Sequence, residues 1–400
     1  MSIEKAKRLK RRGSALVLVT IAAVLLTLVG VGLLQVGLSS RLLAIGAAHK
    51  IKACSAADAG LTKAIYEMNE KLKLQSLSES TQLQATDEIL PYCDGTFSYT
   101  ITPSGNGEYV VEAVGKDGRA EKKVRATLQL QGPFEHAILV RGNIVLKPGA
   151  VVDGYNFTEE GEKVKFGTTT TLLAQVTLGM GALVDGDLLV GVGGDPEKVI
   201  SAPLATITGK TYALTEEVDF PSVTVPGWLE DLPSQGTLSG ATTITSSGKC
   251  DGINLAQGDI ITIDGPVTLY VTGNVGLGNA AQIQINNANP DASLTLFLEG
   301  DLFCKNGGAL NNLTEDPARL TLFGLDTCTN LSFATAGAFY GGIYAPNAMA
   351  NFKSSVEIFG SVTAKSFLQG QAAGFHYDAS LKKVSADDPC VRITVKHWSE

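Results

Sequence analysis

Arg11-Arg12-Gly13-Ser14-Ala15-Leu16-Val17-Leu18-Val19 is the stretch whose reading decides the fold. Six basic residues (Lys5, Lys7, Arg8, Lys10, Arg11, Arg12) lie within the first twelve positions and face a single acid, Glu4. From Gly13 to Ser40 no residue is charged, and Gln35 is the only large polar side chain. Such a run, helical at ~1.5 Å per residue, extends about 42 Å and exceeds a hydrocarbon core of ~30 Å. A positive flank before a spanning helix stays on the cytoplasmic side. Everything beyond Arg41 is therefore expected across the membrane, in a single-pass topology.

Outside that segment the chain holds 26 basic against 39 acidic residues, a balance of −13. No electrostatic footprint for nucleic acid follows from such a charge. Four hundred residues with 44 glycines, 6% aromatics and 18% charge suit many short strands and tight turns better than a helical bundle. The glycines show no period of three, which excludes collagen. Six cysteines (Cys54, Cys93, Cys250, Cys304, Cys328, Cys390) form no C-x-x-C pair, so zinc ligation is poorly supported. Exported thiols leave two readings open, one or more disulfides or buried free cysteines.

The helical pattern does not stop at Ser40. Ile51, Cys54, Ala57, Leu61, Ile65, Met68 and Leu72 recur at helical spacing, with Lys, Asp and Glu between them. The spacing predicts one helix over 14–75, with 14–40 transmembrane and 41–75 amphipathic. Residues 76–91 are polar and read as a linker. Strands are expected over 96–102, 108–114 and 120–131, separated by turns rich in Gly, Asn and Asp. A small antiparallel meander over 76–132, packed on the amphipathic half of the helix, is the arrangement these features describe.

From Phe134 the texture changes. Gly142-Asn-Ile, Gly186-Asp-Leu, Gly273-Asn-Val, Gly300-Asp-Leu and Gly360-Ser-Val punctuate short aliphatic runs with almost no helical period. Their irregular spacing is compatible with multiples of a coil of roughly 20 to 30 residues. The fold class expected is therefore α+β: a long N-terminal helix and small antiparallel sheet, followed over 133–400 by a right-handed parallel β-helix or solenoid. A β-sandwich is the alternative. Prolines concentrated over 196–249 mark a long insertion rather than central strands. Asn286, Asn287 and Asn289 are candidates for a side-chain ladder at one turn, and 391–395 is a last strand candidate.

No catalytic constellation emerges. The four histidines (His49, His136, His376, His397) have no metal-ligand spacing, and Gly191-Val-Gly-Gly194 lacks the context of a phosphate loop. Asp185, Asp187, Asp195, Asp251, Asp259 and Asp264 lie in Gly-rich turns, where Asp serves turn geometry far more often than calcium or glycosidic chemistry. His376, Tyr377 and Asp378 form a polar cluster whose plainer reading is structural pairing. No cofactor, no metal and no enzymatic activity are expected.

The junction Lys10-Arg-Arg-Gly13 followed by Ser14-Ala-Leu-Val-Leu-Val resembles a class III, or prepilin, signal. That resemblance implies a leader over 1–13, cleavage between Gly13 and Ser14 by a prepilin peptidase, and N-methylation of Ser14. Major pilins carry Glu at the fifth mature position; here that position is Leu18, and no acid follows before Asp58. A carboxylate buried in lipid requires a partner, and a subunit lacking it resembles the minor pilins of a filament tip. Arg-Gly-Ser-Ala-Leu-Val and Ala53-Cys-Ser-Ala-Ala-Asp-Ala-Gly-Leu61 resemble PilX-type pilus assembly proteins, and the missing acid resembles pseudopilin K of type II secretion. Phe134-Glu-His-Ala-Ile and Gly341-Gly-Ile-Tyr-Ala-Pro-Asn347 resemble, more loosely, β-rich domains appended to such N-termini. The resemblance implies other pilins, inner-membrane assembly components, the peptidase and membrane lipid as partners. It also implies an inner-membrane location, with the body periplasmic or extracellular, and a place in a pilus or pseudopilus tip.

Overall fold

The structure, a computed structural model, describes residues 14–73, 83–91, 93–105, 107–157, 163–334, 337–353, 356–384 and 388–399. The chain forms two compact units. One is built from the N-terminal helix and a small sheet, the other from residues 129–394.

In the first unit a single helix runs Ser14–Lys73, 60 residues without interruption. It contains no proline, and its Ala, Leu and Val content with interspersed Lys and Glu favours or tolerates helix throughout. Beside it lies a five-stranded sheet in the order Gln84–Ile89, Thr96–Gly105, Glu108–Asp117, Ala120–Gln131 and Arg392–Ser399. The first three strands pair antiparallel. Alternation is clean where one face is covered: Phe97, Tyr99 and Ile101 are buried, as are Val124, Ala126, Leu128 and Leu130. Two features differ from the reading of the sequence. The segment taken as a linker contains the strand Gln84–Ile89. The C-terminal strand belongs to this sheet and not to the solenoid, which therefore does not extend over the whole of 133–400.

The second unit is a β-solenoid of parallel strands, not a sandwich. One inward-facing position traces its length: Leu269 stacks on Leu296, then Leu322, Ile343 and Val362. The column then passes from Val362 to Ile138, and on to Phe166 and Leu188. All eight are buried. Sequence order and spatial order thus part company at one seam. The chain enters the solenoid in its middle with the coil 138–155 and lays two further coils outward to one end. It then crosses to the other end and winds back until 358–378 stacks on 138–155. Along this column coil lengths vary from 19 residues (Ile343 to Val362) to 28 (Ile138 to Phe166), which is why no strict repeat is visible in the sequence.

The crossing segment is shorter than the insertion expected over 196–249. Residues 200–213 and 237–250 supply strands to the solenoid, and only 214–236 leave it. This segment covers an outward ladder of aromatic residues, Tyr270, Phe297, Phe323 and Tyr344, that occupy one register on successive coils. Phe297 and Phe323 stack at 5.3 Å. Val223 and Leu229 from the crossing segment are buried with them, and the Tyr344 hydroxyl donates to the Pro221 carbonyl at 2.8 Å.

Hydroxyls tie the seam itself. Ser361 Oγ donates to His136 O at 2.6 Å, Thr363 Oγ1 to Pro133 O at 3.0 Å, and Tyr377 OH to Phe134 O at 2.8 Å. Inside, Phe333 and Phe352 stack at 4.4 Å, and Phe339, Phe367 and Phe375 complete a run of ring contacts across the last coils. All six cysteines are free thiols. Cys250, Cys304 and Cys328 are buried on coils as small apolar residues.

Truncating the buried column and the exposed surface should give different outcomes. Leu322→Ala is expected to cost about 2–5 kcal/mol in urea unfolding, and Leu172→Ala, at an exposed corner, less than about 0.5 kcal/mol.

Candidate functional site: the N-terminal helix and its sheet

The helix has two halves that face different surroundings. From Leu16 to Ile45 its Leu, Val and Ile side chains are uncovered, with Leu16 at 76% and Leu43 at 74% exposure. This half is long and apolar enough to cross a membrane, with a stretch of 18 residues at mean hydropathy 2.8. The hydroxyls of Thr20 and Thr27 donate back to Val17 O (2.9 Å) and Val24 O (2.8 Å). Neither hydroxyl therefore presents an unsatisfied donor to an apolar phase.

The following turns are packed. Ala53, Ala56, Ala57, Leu61, Ala64 and Met68 are completely buried, at the i, i+3, i+4, i+7 spacing of one helix face. The small residues allow a close approach. At Gly115 an added Cβ would collide with the Ala53 carbonyl, and at Gly60 it would press on the Phe97 ring. Polar contacts border the packed face. His49 Nδ1 lies 2.7 Å from the carboxylate of Asp117, which is only 4% exposed. Tyr99 OH donates to Glu67 at 2.5 Å; burial first, and then the Glu67 carboxylate, push the phenol pKa up. Lys63 pairs with Glu88, and that hydrogen bond raises the lysine pKa.

Of the residues singled out in the sequence, Gly13 lies outside the described residues and Ser14 is the first described residue of the helix. Leu18 is 69% exposed on the bare half, part of a continuous apolar surface.

On the solenoid, the carboxylates of the Gly-rich turns bond across or within coil corners. Asp185 accepts from Thr208 Oγ1 (2.6 Å), Asp187 from Lys210 N (2.8 Å), Asp251 from Ser234 Oγ (2.6 Å), and Asp259 from Ala256 N (2.9 Å). Asp195 caps the short helix Pro196–Val199 and pairs with Lys198 at 3.0 Å. Asp264 accepts from Asn286 (3.1 Å) and Asn289 (2.9 Å), so these asparagines converge on one carboxylate and do not stack as a ladder. Among the described residues no group of three or more His, Cys, Asp or Glu is placed to hold a metal ion.

The three neighbours His376, Tyr377 and Asp378 have separate partners and do not form one cluster. Tyr377 and Asp378 are buried, Tyr377 bonding Phe134 O and Asp378 capping Ser380 N. His376 faces outward, with Nδ1 2.5 Å from Asp153 on the first coil and Nε2 2.9 Å from Glu357. The hydrogen bond to Asp153 is the main cause of its raised pKa. The sequence assigns no site role to Glu135 or His136. Burial raises the Glu135 pKa and lowers that of His136 to about 3, so the imidazole is neutral. They line a cavity of about 30 Å³ with Tyr344, Cys390 and Arg392. That is room for one water and far below the size of a ligand pocket.

Comparisons with known proteins can be set beside this geometry. Residues 228–384 match a family described as a domain of unknown function, DUF7305. The match takes in the coils that run from the end of the crossing segment to the seam. No curated protein matches the chain. Among solved structures the chain is similar to a competence-associated pilin, ComZ, from Thermus thermophilus. The two share 13% identity at a TM-score of 0.23, over 88% of this chain and 97% of that one. It is also similar to an ice binding protein from an Antarctic bacterium of the Flavobacteriaceae. There the identity is 11% and the TM-score 0.23, over 60% of this chain and 79% of that one. Neither likeness is close enough to bear on function.

Two outcomes test these contacts. Gly115→Leu should separate helix from sheet and lower stability by about 2–3 kcal/mol in a detergent-solubilised thermal melt. His376→Gln should cost on the order of 1 kcal/mol at pH 5 and little at pH 9. The folded pKa lies above the unfolded one, so the stabilisation is complete below the unfolded value and fades as pH rises through the folded value. Melting the two proteins at both pH values checks the sign.

Proposed function

We propose that this protein is a structural, non-enzymatic subunit of the minor-pilin type. Its N-terminal helix anchors it in the inner membrane and later packs in a filament core, while the solenoid stands outside for priming or tip contacts. The observation that carries the reading is the helix itself. Over the described residues it is one unbroken element, Ser14–Lys73, bare and apolar over its first half and packed on a sheet over its second, and a basic run precedes it in the sequence. A subunit that moves from lipid into a helical bundle exchanges one apolar contact for another, so leaving the bilayer loses little burial. With Leu18 in place of an acid the transfer involves no buried charge. A position at the filament end, where no neighbouring terminal amine needs a counter-charge, suits such a helix.

PilX-like identity, cleavage at Gly13–Ser14 and methylation of Ser14 belong to the same proposal, supported by the residues of the junction. Coexpression with a prepilin peptidase, followed by intact-mass measurement, is the test. The expected product begins at methylated Ser14 and stays in the membrane, and Gly13→Val blocks processing. A chain that keeps residues 1–13, or that is released by cleavage beyond residue 40, overturns the proposal. Probing sheared filaments separates assembly from mere anchoring: an adhesin that never polymerises stays entirely with the cell membrane.

A further inference from the structure

Positive charge gathers in the first unit where the helix leaves its apolar run, although the chain as a whole is acidic. Lys50 and Lys52 are exposed on the helix, and Arg119, Lys122 and Lys123 are exposed on the hairpin of the small sheet. Helix and hairpin tip stand at the same level, because the His49 ring lies against Gly118 and bonds Asp117. Among the described residues none of the five cations is ion-paired. Of the acids at the hairpin tip, Asp117 is buried against His49 and Glu121 is exposed; Asp87 and Glu112, farther along the sheet, pair with Lys116 and Arg125.

Apolar surface reaches the same height. Leu42, Leu43, Ile45 and Ile51 are exposed beyond Arg41. From Ser14 to Ala48 the helix carries one charge, Arg41, over about 52 Å, against ~40–45 Å for a bilayer with its headgroups. At a tilt of about 20° Lys50 and Lys52 fall within roughly a Debye length, ~8 Å, of the far headgroup surface. Cations that ring the exit of an apolar helix meet one partner that is both apolar and negatively charged.

We infer that Lys50, Lys52, Arg119, Lys122 and Lys123 form a collar that rests on anionic phospholipid headgroups of the leaflet through which the helix emerges. The inference depends on the membrane-spanning reading of the helix. The collar sets the depth and tilt of the small sheet on the bilayer. Extraction of the subunit into a filament breaks this contact as well as the helix's contact with lipid.

The test uses the full chain in vesicles of phosphatidylcholine alone, or with about 30% phosphatidylglycerol, and a membrane-impermeant amine reagent read by mass spectrometry. Lys50, Lys52, Lys122 and Lys123 should label about fivefold more slowly in the anionic vesicles. About 1 M salt should remove the difference, and Lys305 on the solenoid should label equally in both. Combined Arg119→Glu, Lys122→Glu and Lys123→Glu should abolish the protection of Lys50 and Lys52; the milder pair Lys122→Gln and Lys123→Gln should reduce it with the sheet intact by circular dichroism. Equal labelling in both vesicle types, in a chain that resists alkaline carbonate extraction, overturns the collar alone. A chain that carbonate strips from the vesicles overturns the spanning helix and the collar together.

Discussion

The solenoid depends on the stacking of Val362 on Ile138. That contact closes the last coil of the chain onto its first, and the whole buried column runs through it. The ties around it span great sequence distances; Ser361 and His136 are 225 residues apart. A repeat protein whose coils follow one another can grow from any nucleus by local steps. Here the first three coils find their neighbour only when the last is in place, or the reverse, so loop-closure entropy must be met before the contact forms. The seam is correspondingly rich in polar ties that a continuous solenoid does not need: three hydroxyls bonded to carbonyls, and an imidazole held between two carboxylates.

The same detour explains the prolines. To reach the far end of the solenoid the chain must run along its side, where it can add no strand to a ladder already complete. Residues 214–236 are built for this, with Pro221, Pro226 and Pro233 withholding donors that would have no acceptor. What they cover are aromatic side chains that point outward from consecutive coils. Tyr270, Phe297, Phe323 and Tyr344 on an uncovered solenoid would form an exposed apolar stripe; under Val223 and Leu229 they form a second core.

In the first unit one helix has a bare apolar half and a packed half. Its bare half has large aliphatic side chains and internally satisfied hydroxyls, as a lipid phase requires. Its packed half has Ala at the positions that touch the sheet, because bulk there would hold the backbones apart. The change comes between Ile45 and Ala53, and no break in the helix marks it.

Much of this was legible in the sequence. The long apolar helix, its amphipathic continuation, the three central strands of the meander and a solenoid body all follow from charge, periodicity and turn residues, which are local properties. The structural role of the turn aspartates was legible too, since Asp in a Gly-rich turn has few other uses. What only the tertiary structure decided is everything that depends on pairing between distant segments. Gln84–Ile89 is polar enough to read as linker and becomes a strand because Thr96–Gly105 lies beside it. Arg392–Ser399 joins a sheet whose other strands end at Gln131. His376 acquires Asp153 as a partner, and 358–378 finds 138–155, because coils of unequal length come into register in space and not along the chain. Local physics determines which elements form; the order in which they stack is set by side-chain fit that no local window contains.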